Sequence, residues 1–172
     1  MTLYDTIPSP IGRLLLVAED AGLTGVYFEN YRHGIRPAAD WSQAPGSPTL
    51  KETRAQLEAY FGGDLSDFTL PLAARGTPFQ HRVWSQLRRI ARGETISYGE
   101  LAWRIGDPHA VRAVAGANAR NPISIIVPCH RVIGADGSLT GFGGGLERKR
   151  WLLEHEGARP AAGLQLSLSA AP

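Results

Sequence analysis

Cysteine, histidine and arginine stand side by side in Pro128-Cys129-His130-Arg131-Val132. Together, these residue types could perform nucleophilic chemistry. Cys129 is the only cysteine of the chain. A free thiol has a pKa of about 8.5, so it reacts at neutral pH only where positive charge or an acid–base partner favours the thiolate. His130 and Arg131 could supply both. We therefore interpret Cys129 as a candidate nucleophile. The alternative is that Cys129 is only a small buried hydrophobic residue.

The segment before the cysteine predicts how the thiol is presented. Residues 123–127 are rich in β-formers and predict a strand. Pro128 cannot donate to a sheet ladder, so we expect the strand to end there and the thiol to lie at its exit. Neighbouring side chains on an extended chain point to opposite faces, so His130 should not contact Cys129 directly. Either the chain bends, or a water or a third residue connects the two.

Composition narrows the class of protein. The chain has 172 residues, of which 43% are hydrophobic, as in an ordinary globular protein. It has no apolar run near the ~20 residues of a membrane span. The start, Met1 to Asp5, has neither a basic region nor an apolar signal core, so we expect a cytoplasmic protein. One cysteine excludes an intramolecular disulfide and a thiolate zinc cluster, and no metal or cofactor is indicated.

Charge is unevenly distributed along the chain. The net charge is +2, but residues 1–76 contain 6 Lys/Arg and 9 Asp/Glu, whereas residues 77–157 contain 11 and 7. A basic second half suits binding to a polyanion, although a solvated basic face explains the charge equally well.

The first half, residues 1–76, predicts an α/β domain. Residues 11–18 and 23–28 are rich in β-forming residues, and the turn residues between them favour a hairpin. Residues 31–46 predict a loop. Ser47-Pro48 predicts the start of a helix that runs to Phe61, and residues 68–72 could form a further strand. No catalytic constellation is present here, so this half is interpreted as structural support.

The second half, residues 77–157, begins with helix signals. Thr77-Pro78-Phe79-Gln80 is a capping box that opens a helix ending by Gly93. Ser97-Tyr98-Gly99-Glu100 is a second capping box, and its short helix ends at Gly106. Asp107-Pro108 predicts a third helix, to about Ala119. Two short helices joined by a Gly-containing turn are typical of a helix-turn-helix.

The rest of the sequence predicts a turn, a loop, a final helix and a tail. Asp136-Gly137 predicts a tight turn. A glycine-rich loop, 141–145, precedes a final helix that Gly157 closes. Residues 158–172 are rich in Ala, Ser and Pro, and we expect a loosely ordered tail.

Motifs across the second half resemble those of the O6-alkylguanine-DNA alkyltransferases, also called methylated-DNA–protein-cysteine methyltransferases. The resemblance runs from about Thr77 to Gly157, and more loosely to the N-terminus. Its segments, in the family's order and approximate spacing, are Tyr98 to Ala102, Arg112 to Val114, Asn121-Pro122, Pro128 to Val132, Gly141 to Gly145 and His155 to Gly157. The resemblance implies an α+β fold, with a small ribonuclease H-like α/β domain followed by a helical, winged helix-turn-helix domain.

The family's chemistry implies the roles of the catalytic residues. Cys129 would attack the sp³ carbon of an O6-alkyl group. His130 would be its base, coupled through a water and oriented by Glu156. Tyr98 would line the base pocket and donate a proton or hydrogen bond to the guanine. Asn121 would connect the helix-turn-helix to the active-site strand by side-chain hydrogen bonds.

Each of these residues also has an ordinary structural interpretation. Glu156 could be a surface carboxylate at a helix end, Tyr98 a half-buried core residue, and Asn121 a helix stop before proline. Arg112 could be a solvent-exposed helical arginine, and residues 141–145 an ordinary linker.

The resemblance also implies how DNA is bound. Arg112 would be an arginine finger that fills the base stack after the damaged nucleotide is flipped out. Its helix would enter the minor groove, with Val111, Ala113, Ala115 and Tyr98 also at the DNA. Val132, Phe142, Gly143 and Gly144 would line the substrate pocket. The implied partner is double-stranded DNA containing O6-alkylguanine, bound by a monomer that could cluster on DNA.

Some residues depart from the family pattern. Phe142 stands where tyrosine is common, and Gly143 where some members have serine. Val111 and Ala115 are larger than the alanine and glycine usual on the groove-facing helix, which affects how deeply it could insert. A related group of DNA-binding proteins lacks the cysteine, and Cys129 argues against membership in it.

Two alternative functions remain open at this point. A cysteine hydrolase using Cys129, a histidine and Glu156 would turn over esters or amides, but needs an oxyanion hole for which no compelling motif is present. A non-catalytic helix-turn-helix protein with an inert thiol would bind DNA without any change in its own mass.

Overall fold

The computed structural model describes residues 1–30, 35–158 and 167–168, which divide into two compact units. The first unit comprises Met1–Arg75 together with Pro122–Ser124. The second comprises Gly76–Asn121 and the residues from Ile125 onward. The α+β fold class is confirmed, because the first unit is built on a sheet and the second mainly on helices.

A four-stranded sheet forms the first unit. Its strands are β1 (Leu3–Ile7), β2 (Leu14–Glu19), β3 (Gly22–Phe28) and β4 (Ser42–Gln43), in the order β3-β2-β1-β4. The predicted hairpin is present as the antiparallel pair β2–β3. Sequence patterning did not identify β1, which pairs antiparallel with β2.

Two other predictions in this unit need correction. Part of the expected loop 31–46 forms the short strand β4, parallel to β1, and residues 31–34 lie outside the described residues. Residues 68–72 form no regular strand and contribute only an isolated bridge between Leu72 and Leu23. Pro122–Ser124 belongs with this sheet, because the backbones of Val26 and residues 122 and 124 exchange hydrogen bonds of 2.9 and 3.2 Å.

Helix α1 (Pro48–Phe61) has the predicted bounds. The Ser47 hydroxyl accepts a hydrogen bond from the Leu50 N–H, and Pro48 occupies the first turn, where its missing N–H costs nothing. The helix buries Leu50, Leu57 and Tyr60.

Four helices dominate the second unit: α2 (Pro78–Leu87), α3 (Tyr98–Arg104), α4 (Val111–Ala119) and α5 (Leu146–His155). The capping box at Thr77 is complete, with reciprocal bonds to Gln80. At Ser97 only half of the predicted box forms, because the Glu100 carboxylate bonds to Arg104 instead. Helix α4 begins three to four residues later than Asp107-Pro108 suggested.

Short strands complete the second unit. β5 (Ile96–Ser97) pairs parallel with β6 (Val132–Ile133), and β7 (Ser138–Leu139) with β8 (Ser167–Leu168). The predicted turn at Asp136-Gly137 is present, with Gly137 at φ +86°. Apart from Ala158 and β8, the tail predicted to be loosely ordered lies outside the described residues.

The predicted strand 123–127 is wrong. These residues form one bridge and a series of turns, and Ile125 has φ +72°. A β-branched residue adopts this left-handed conformation only where its surroundings impose it. Prolines 122 and 128 remove two donors from the segment, and the Asn121 side chain occupies the Val127 carbonyl (2.7 Å). Residues 123, 125, 126 and 127 are buried, so their apolar character reflects the core rather than a sheet.

No helix among the described residues is long and apolar enough to cross a membrane.

Candidate active site

A short 3₁₀ turn, Cys129–Arg131, presents the candidate nucleophile. The Cys129 N–H donates to the Val127 carbonyl (2.8 Å), and the Arg131 N–H donates to the Pro128 carbonyl (3.1 Å). The chain therefore bends at the thiol, which is one of the two possibilities that the sequence left open. Because β6 follows this turn and pairs with β5, which leads into α3, the turn is held near Tyr98.

A buried ionic cluster lies directly behind the thiol. The His130 ring nitrogen Nε2 lies 2.8 Å from Glu156 Oε2, and the Arg131 guanidinium donates to both oxygens of Glu156, at 2.8 and 3.0 Å. Arg131 also donates to the Ile90 carbonyl (2.5 Å). Glu156, the C-cap of α5, is buried. Its interpretation as a surface carboxylate is therefore wrong.

The hydrogen bonds assign the tautomer of His130. Burial by itself would raise the pKa of Glu156, but the charges and hydrogen bonds of His130 and Arg131 outweigh it and hold that pKa far below its usual value. An ionised carboxylate can only accept, so Nε2 must carry the proton. Nδ1 of His130 is buried and has no hydrogen-bond partner among the described residues.

The protonation state of His130 suits a general base. Burial lowers its pKa, and this outweighs the opposing effect of Glu156. The imidazole is therefore neutral at pH 7, with a free lone pair on Nδ1 that can accept a proton. No direct side-chain bond joins His130 to Cys129, as the sequence predicted.

The thiol itself is buried, with 5% of the Cys129 surface exposed. Burial raises its pKa, while a hydrogen bond from the Asn121 side chain and the charge of Lys149 act in the opposite direction. The same Asn121 amide donates to the Val127 carbonyl, and Asn118 donates to the Cys129 carbonyl (3.4 Å). Asn121 is thus more than a helix stop, because it links the end of α4 to the cysteine turn.

Tyr98, at the start of α3, is half-buried and donates from its hydroxyl to the Thr140 carbonyl (3.1 Å). Burial raises its pKa, and so does the Cys129 charge, which places the phenol within electrostatic range of the sulfur. A phenol with a raised pKa remains protonated at pH 7, so it can act as a donor.

Helix α4 presents a face suited to close approach. Val111, Arg112 and Ala113 are exposed, and Ala115 is half-buried. Gly116 and Ala119 also lie on the exposed side, with nothing within 4 Å of where a Gly116 side chain would begin. The helix contains no acidic residue. Among the residues of α4, Arg112 is the one cation, and it stands between mostly small side chains.

Models of one known protein family match both parts of the chain. The family model described as the 6-O-methylguanine DNA methyltransferase DNA-binding domain matches residues 78–158, and the ribonuclease-like domain of the same family matches residues 2–74. The chain belongs to the 6-O-methylguanine DNA methyltransferase family.

Individual members of the family are similar over almost the whole chain. The methylated-DNA–protein-cysteine methyltransferase of Haemophilus influenzae is 47% identical over 89% of this chain and 85% of its own length. The crystal structure of the O6-methylguanine methyltransferase of Mycobacterium tuberculosis is 50% identical, with a TM-score of 0.83, over 94% of this chain and 96% of that one. A structure of the M. tuberculosis protein in complex with DNA has the same identity and TM-score.

The family's candidate catalytic residues are brought together by hydrogen bonds or charge in this structure: Cys129, His130, Glu156, Tyr98 and Asn121. Val132, which was expected in the substrate pocket, is buried in β6 and directs its carbonyl at Lys149. Phe142, Gly143 and Gly144 are half-buried in the loop before α5. The roles expected of these four residues stay predictions.

Two features of the charged residues were not predicted from the sequence: the partner of Arg131 and the burial of Lys149. Arg131 shares Glu156 with His130, and Lys149 is wholly buried between two carbonyls. In sequence, Lys149 stands in Arg148-Lys149-Arg150 and resembles part of an exposed basic face. The spacing of Lys149 from Leu146, Leu152 and Leu153 would have placed it on the buried side of α5.

The described residues contain no group of three or more His, Cys, Asp or Glu side chains that could hold a metal ion.

Proposed function

We propose that this chain is a DNA repair protein that transfers an alkyl group from O6 of guanine in DNA irreversibly to Sγ of Cys129. The observation that carries the proposal is the buried arrangement of Cys129, a neutral His130 with a free Nδ1, and an ionised Glu156. The reaction class comes from the family to which the chain belongs.

The proposed reaction follows from these groups. His130 Nδ1 takes up the thiol proton, through a bridging water, and Glu156 stabilises the imidazolium. The thiolate attacks the sp³ carbon, a C–S bond forms and the C–O6 bond breaks. Tyr98 donates its proton to the departing guanine and is reprotonated, so that the thiol proton is in effect moved to the guanine. The thioether has no good leaving group, so each molecule reacts once.

The proposal accounts for the second unit better than a hydrolase does. Displacement at an sp³ carbon forms no tetrahedral adduct and needs no oxyanion hole. A buried thiol in the same unit as an exposed helix of mostly small residues has a clear purpose in DNA repair but none in ester hydrolysis. Residues 77–157 would carry the chemistry, with Val132, Phe142, Gly143 and Gly144 lining the pocket, and residues 1–76 would support it.

The proposed partner is double-stranded DNA containing O6-alkylguanine. A family member 50% identical to this chain has been crystallised with DNA. Val111, Arg112, Ala113 and Ala115 of α4, with Tyr98, would contact the DNA. We further propose that the protein acts as a monomer in the cytoplasm and can cluster on DNA.

Intact-mass spectrometry tests the proposal. After incubation with a duplex containing one O6-methylguanine, the protein is expected to gain one CH₂, at Cys129, with a stoichiometry of one. The same duplex with unmodified guanine is the control. An unchanged mass beside an unrepaired lesion would refute the proposal, and multiple turnovers on an ester would favour a hydrolase.

Arg112→Ala tests the role of α4. Flipping a base out of the duplex costs a few kcal/mol, and an inserted arginine would offset part of that cost. We expect transfer from duplex DNA to slow at least tenfold, equivalent to about 1.4 kcal/mol. Transfer from the free base O6-benzylguanine should change less than about twofold, because no flipping occurs.

Arg89→Ala is the matched control, since it removes the same charge from an exposed position after α2. Equal slowing of Arg112→Ala on duplex and free base would contradict a finger role.

A further inference from the structure

Asn118 carries a buried amide on the inner side of α4, near the end of the helix. The residue is 2% exposed. Its Nδ2 donates to the Cys129 carbonyl (3.4 Å), whereas its Oδ1 is buried and has no hydrogen-bond partner among the described residues. Burying an unpaired amide oxygen is costly, and an apolar side chain of the same shape would avoid that cost. The packing of α4 therefore does not explain why an amide stands at this position.

Together with Asn121, this amide fixes the backbone of the nucleophile. Asn121 donates to the Val127 carbonyl (2.7 Å), which also accepts the Cys129 N–H (2.8 Å). Asn118 stands three residues earlier, on the same side of α4, and donates to the carbonyl of Cys129 itself. The backbone before and after the thiol is thus tied to the helix that is proposed to bind DNA.

His130 contributes a second unpaired acceptor. Its Nδ1 is also buried and has no partner among the described residues, because the proton of the imidazole is on Nε2, where Glu156 accepts it. Both unpaired atoms belong to side chains that adjoin Cys129, one through its carbonyl and the other through the peptide bond. Two acceptors cannot satisfy each other. A water molecule can satisfy both, because it donates two hydrogens, and buried waters typically make about three hydrogen bonds to otherwise unpaired groups.

We propose that Asn118 is a positioning residue for alkyl transfer, whose Nδ2 fixes the Cys129 carbonyl and whose Oδ1 holds the water between the thiol and His130. This proposal rests on the proposed function, in which a water carries the thiol proton to Nδ1. The water accepts the S–H hydrogen bond and donates one hydrogen to Oδ1 and the other to Nδ1. When the S–H bond breaks, its proton joins the water, and the hydrogen that faces Nδ1 moves to the imidazole. Asn118 orients the water and neither gains nor loses a proton.

The first experiment compares thiol alkylation at two pH values. Because Cys129 is the only cysteine, iodoacetamide reports on this one sulfur and requires no DNA. Asn118→Leu replaces the amide by an apolar group of similar shape. At pH 7 His130 must remove the thiol proton through the water, so we expect alkylation to slow about tenfold, less than the loss of a whole general base would cause. At pH 10 hydroxide removes the proton directly, so the variant should react within about twofold of the wild type.

The comparison of the two pH values separates the water from a mere displacement of the sulfur. All the ionisable groups around the sulfur are retained in this variant: Tyr98 of α3, His130 and Arg131 of the cysteine turn, and Lys149 and Glu156 of α5. A displaced sulfur would react slowly at both pH values. Equal slowing at pH 7 and pH 10, or no slowing at either, would overturn the proposal.

Stability provides a matched control with a second buried amide. Gln56 of α1 is buried and fully paired, since its Nε2 donates to the Thr69 hydroxyl (3.1 Å) and its Oε1 accepts the Thr69 N–H (2.9 Å). Gln56→Leu should therefore lower the urea midpoint of unfolding and leave alkylation unchanged. Asn118→Leu should keep or raise the midpoint, because it removes an unpaired oxygen, and yet slow alkylation at pH 7. A lowered midpoint with normal alkylation would show that Asn118 is only structural.

A second measurement uses the unsubstituted protein, so it remains valid if Asn118→Leu does not fold. The chain has three asparagines, Asn30, Asn118 and Asn121, so selective ¹⁵N labelling of asparagine gives three side-chain amide signals. A water held at Oδ1 lies close to the Nδ2 hydrogens of the same amide. The Asn118 signal should therefore show NMR cross-relaxation with a long-lived water, with the exposed Asn30 as the reference for rapidly exchanging water. No such cross-relaxation at Asn118 would overturn the proposal.

These measurements are independent of DNA repair. If the wild-type protein failed to take a methyl group from O6-methylguanine, the proposed function would fail, while alkylation and NMR would still show whether Asn118 holds a water beside the thiol. Normal methyl transfer at pH 7 by Asn118→Leu would leave the proposed function intact and overturn the role of Asn118.

Discussion

Cys129→Ser is expected to abolish alkyl transfer while leaving DNA affinity within about twofold. A serine hydroxyl remains protonated at neutral pH even beside His130, and it is a far weaker nucleophile toward an sp³ carbon than a thiolate. The substitution removes little volume from a buried site, so the fold should survive with a loss of about 1 kcal/mol. The measurement is intact mass after incubation with an O6-methylguanine duplex, together with the Kd for that duplex.

Helix α4, the proposed DNA-binding face, supplies the control for this variant. Arg112→Ala should interact less productively with duplex DNA, and its mass should still increase slowly. Cys129→Ser should bind the duplex, and its mass should not increase. A methyl group found on another residue of Cys129→Ser would show that the nucleophile has been misidentified.

Glu156→Gln is expected to have the largest effect on stability, a loss of about 3–5 kcal/mol, because it leaves the buried Arg131 guanidinium without its counter-charge. In protein that remains folded, transfer should slow about 10²–10⁴-fold, since the base loses the group that orients it and stabilises its protonated form. Urea unfolding measures the first effect and single-turnover transfer to the protein measures the second.

Glu154→Gln provides the matched control two residues away. Its carboxylate pairs with Arg150 on the surface, with 58% of the Glu154 side chain exposed. Surface pairs of this kind contribute little, so we expect a change within about 0.5 kcal/mol and normal transfer. Similar losses in both variants would mean that the buried cluster has no special role.

The pH dependence of stability offers an independent check of the same cluster. The pKa of Glu156 is depressed in the folded protein, so its stabilisation is present above its unfolded pKa of about 4.3 and is lost as pH falls below it. The pKa of His130 is also lowered, which makes stability decline as pH falls below about 6.5. The stability of Glu156→Gln should still decline near pH 6. The further decline that Glu156 causes below about pH 5 should be absent from this variant.

Local signals in the sequence predicted much of this fold. Ser47, Thr77 and Ser97 cap helices as expected, because a cap is set by the few residues that form it. The family's motifs identified the residues around Cys129. Predictions that depended on distant contacts were less successful. Residues 123–127 have strand propensity, but two prolines and the Asn121 side chain leave no regular ladder for them to join.

The roles of Arg131 and Lys149 could not be predicted from the sequence, because they also depend on distant contacts. Nothing near Arg131 in the sequence shows that its partner is the carboxylate at position 156, or that Lys149 lies between the carbonyls of residues 132 and 140. A basic run predicts an exposed face by its average composition. The spacing of Lys149 from the leucines of α5 separates it from its exposed neighbour Arg150, but the two carbonyls that it meets are determined by packing.

The parallel pairing of β5 with β6 has a consequence for how the protein is made. It joins Ile96 to Val132 and Ser97 to Ile133, residues far apart along the chain, through two short strands. Contacts of such long sequence separation form late, because their loops must close first. A nascent chain therefore carries an ordinary cysteine at position 129. The buried surroundings of the sulfur, with His130 and Glu156 behind it, are therefore complete only when residues 96–97 and 132–133 have paired.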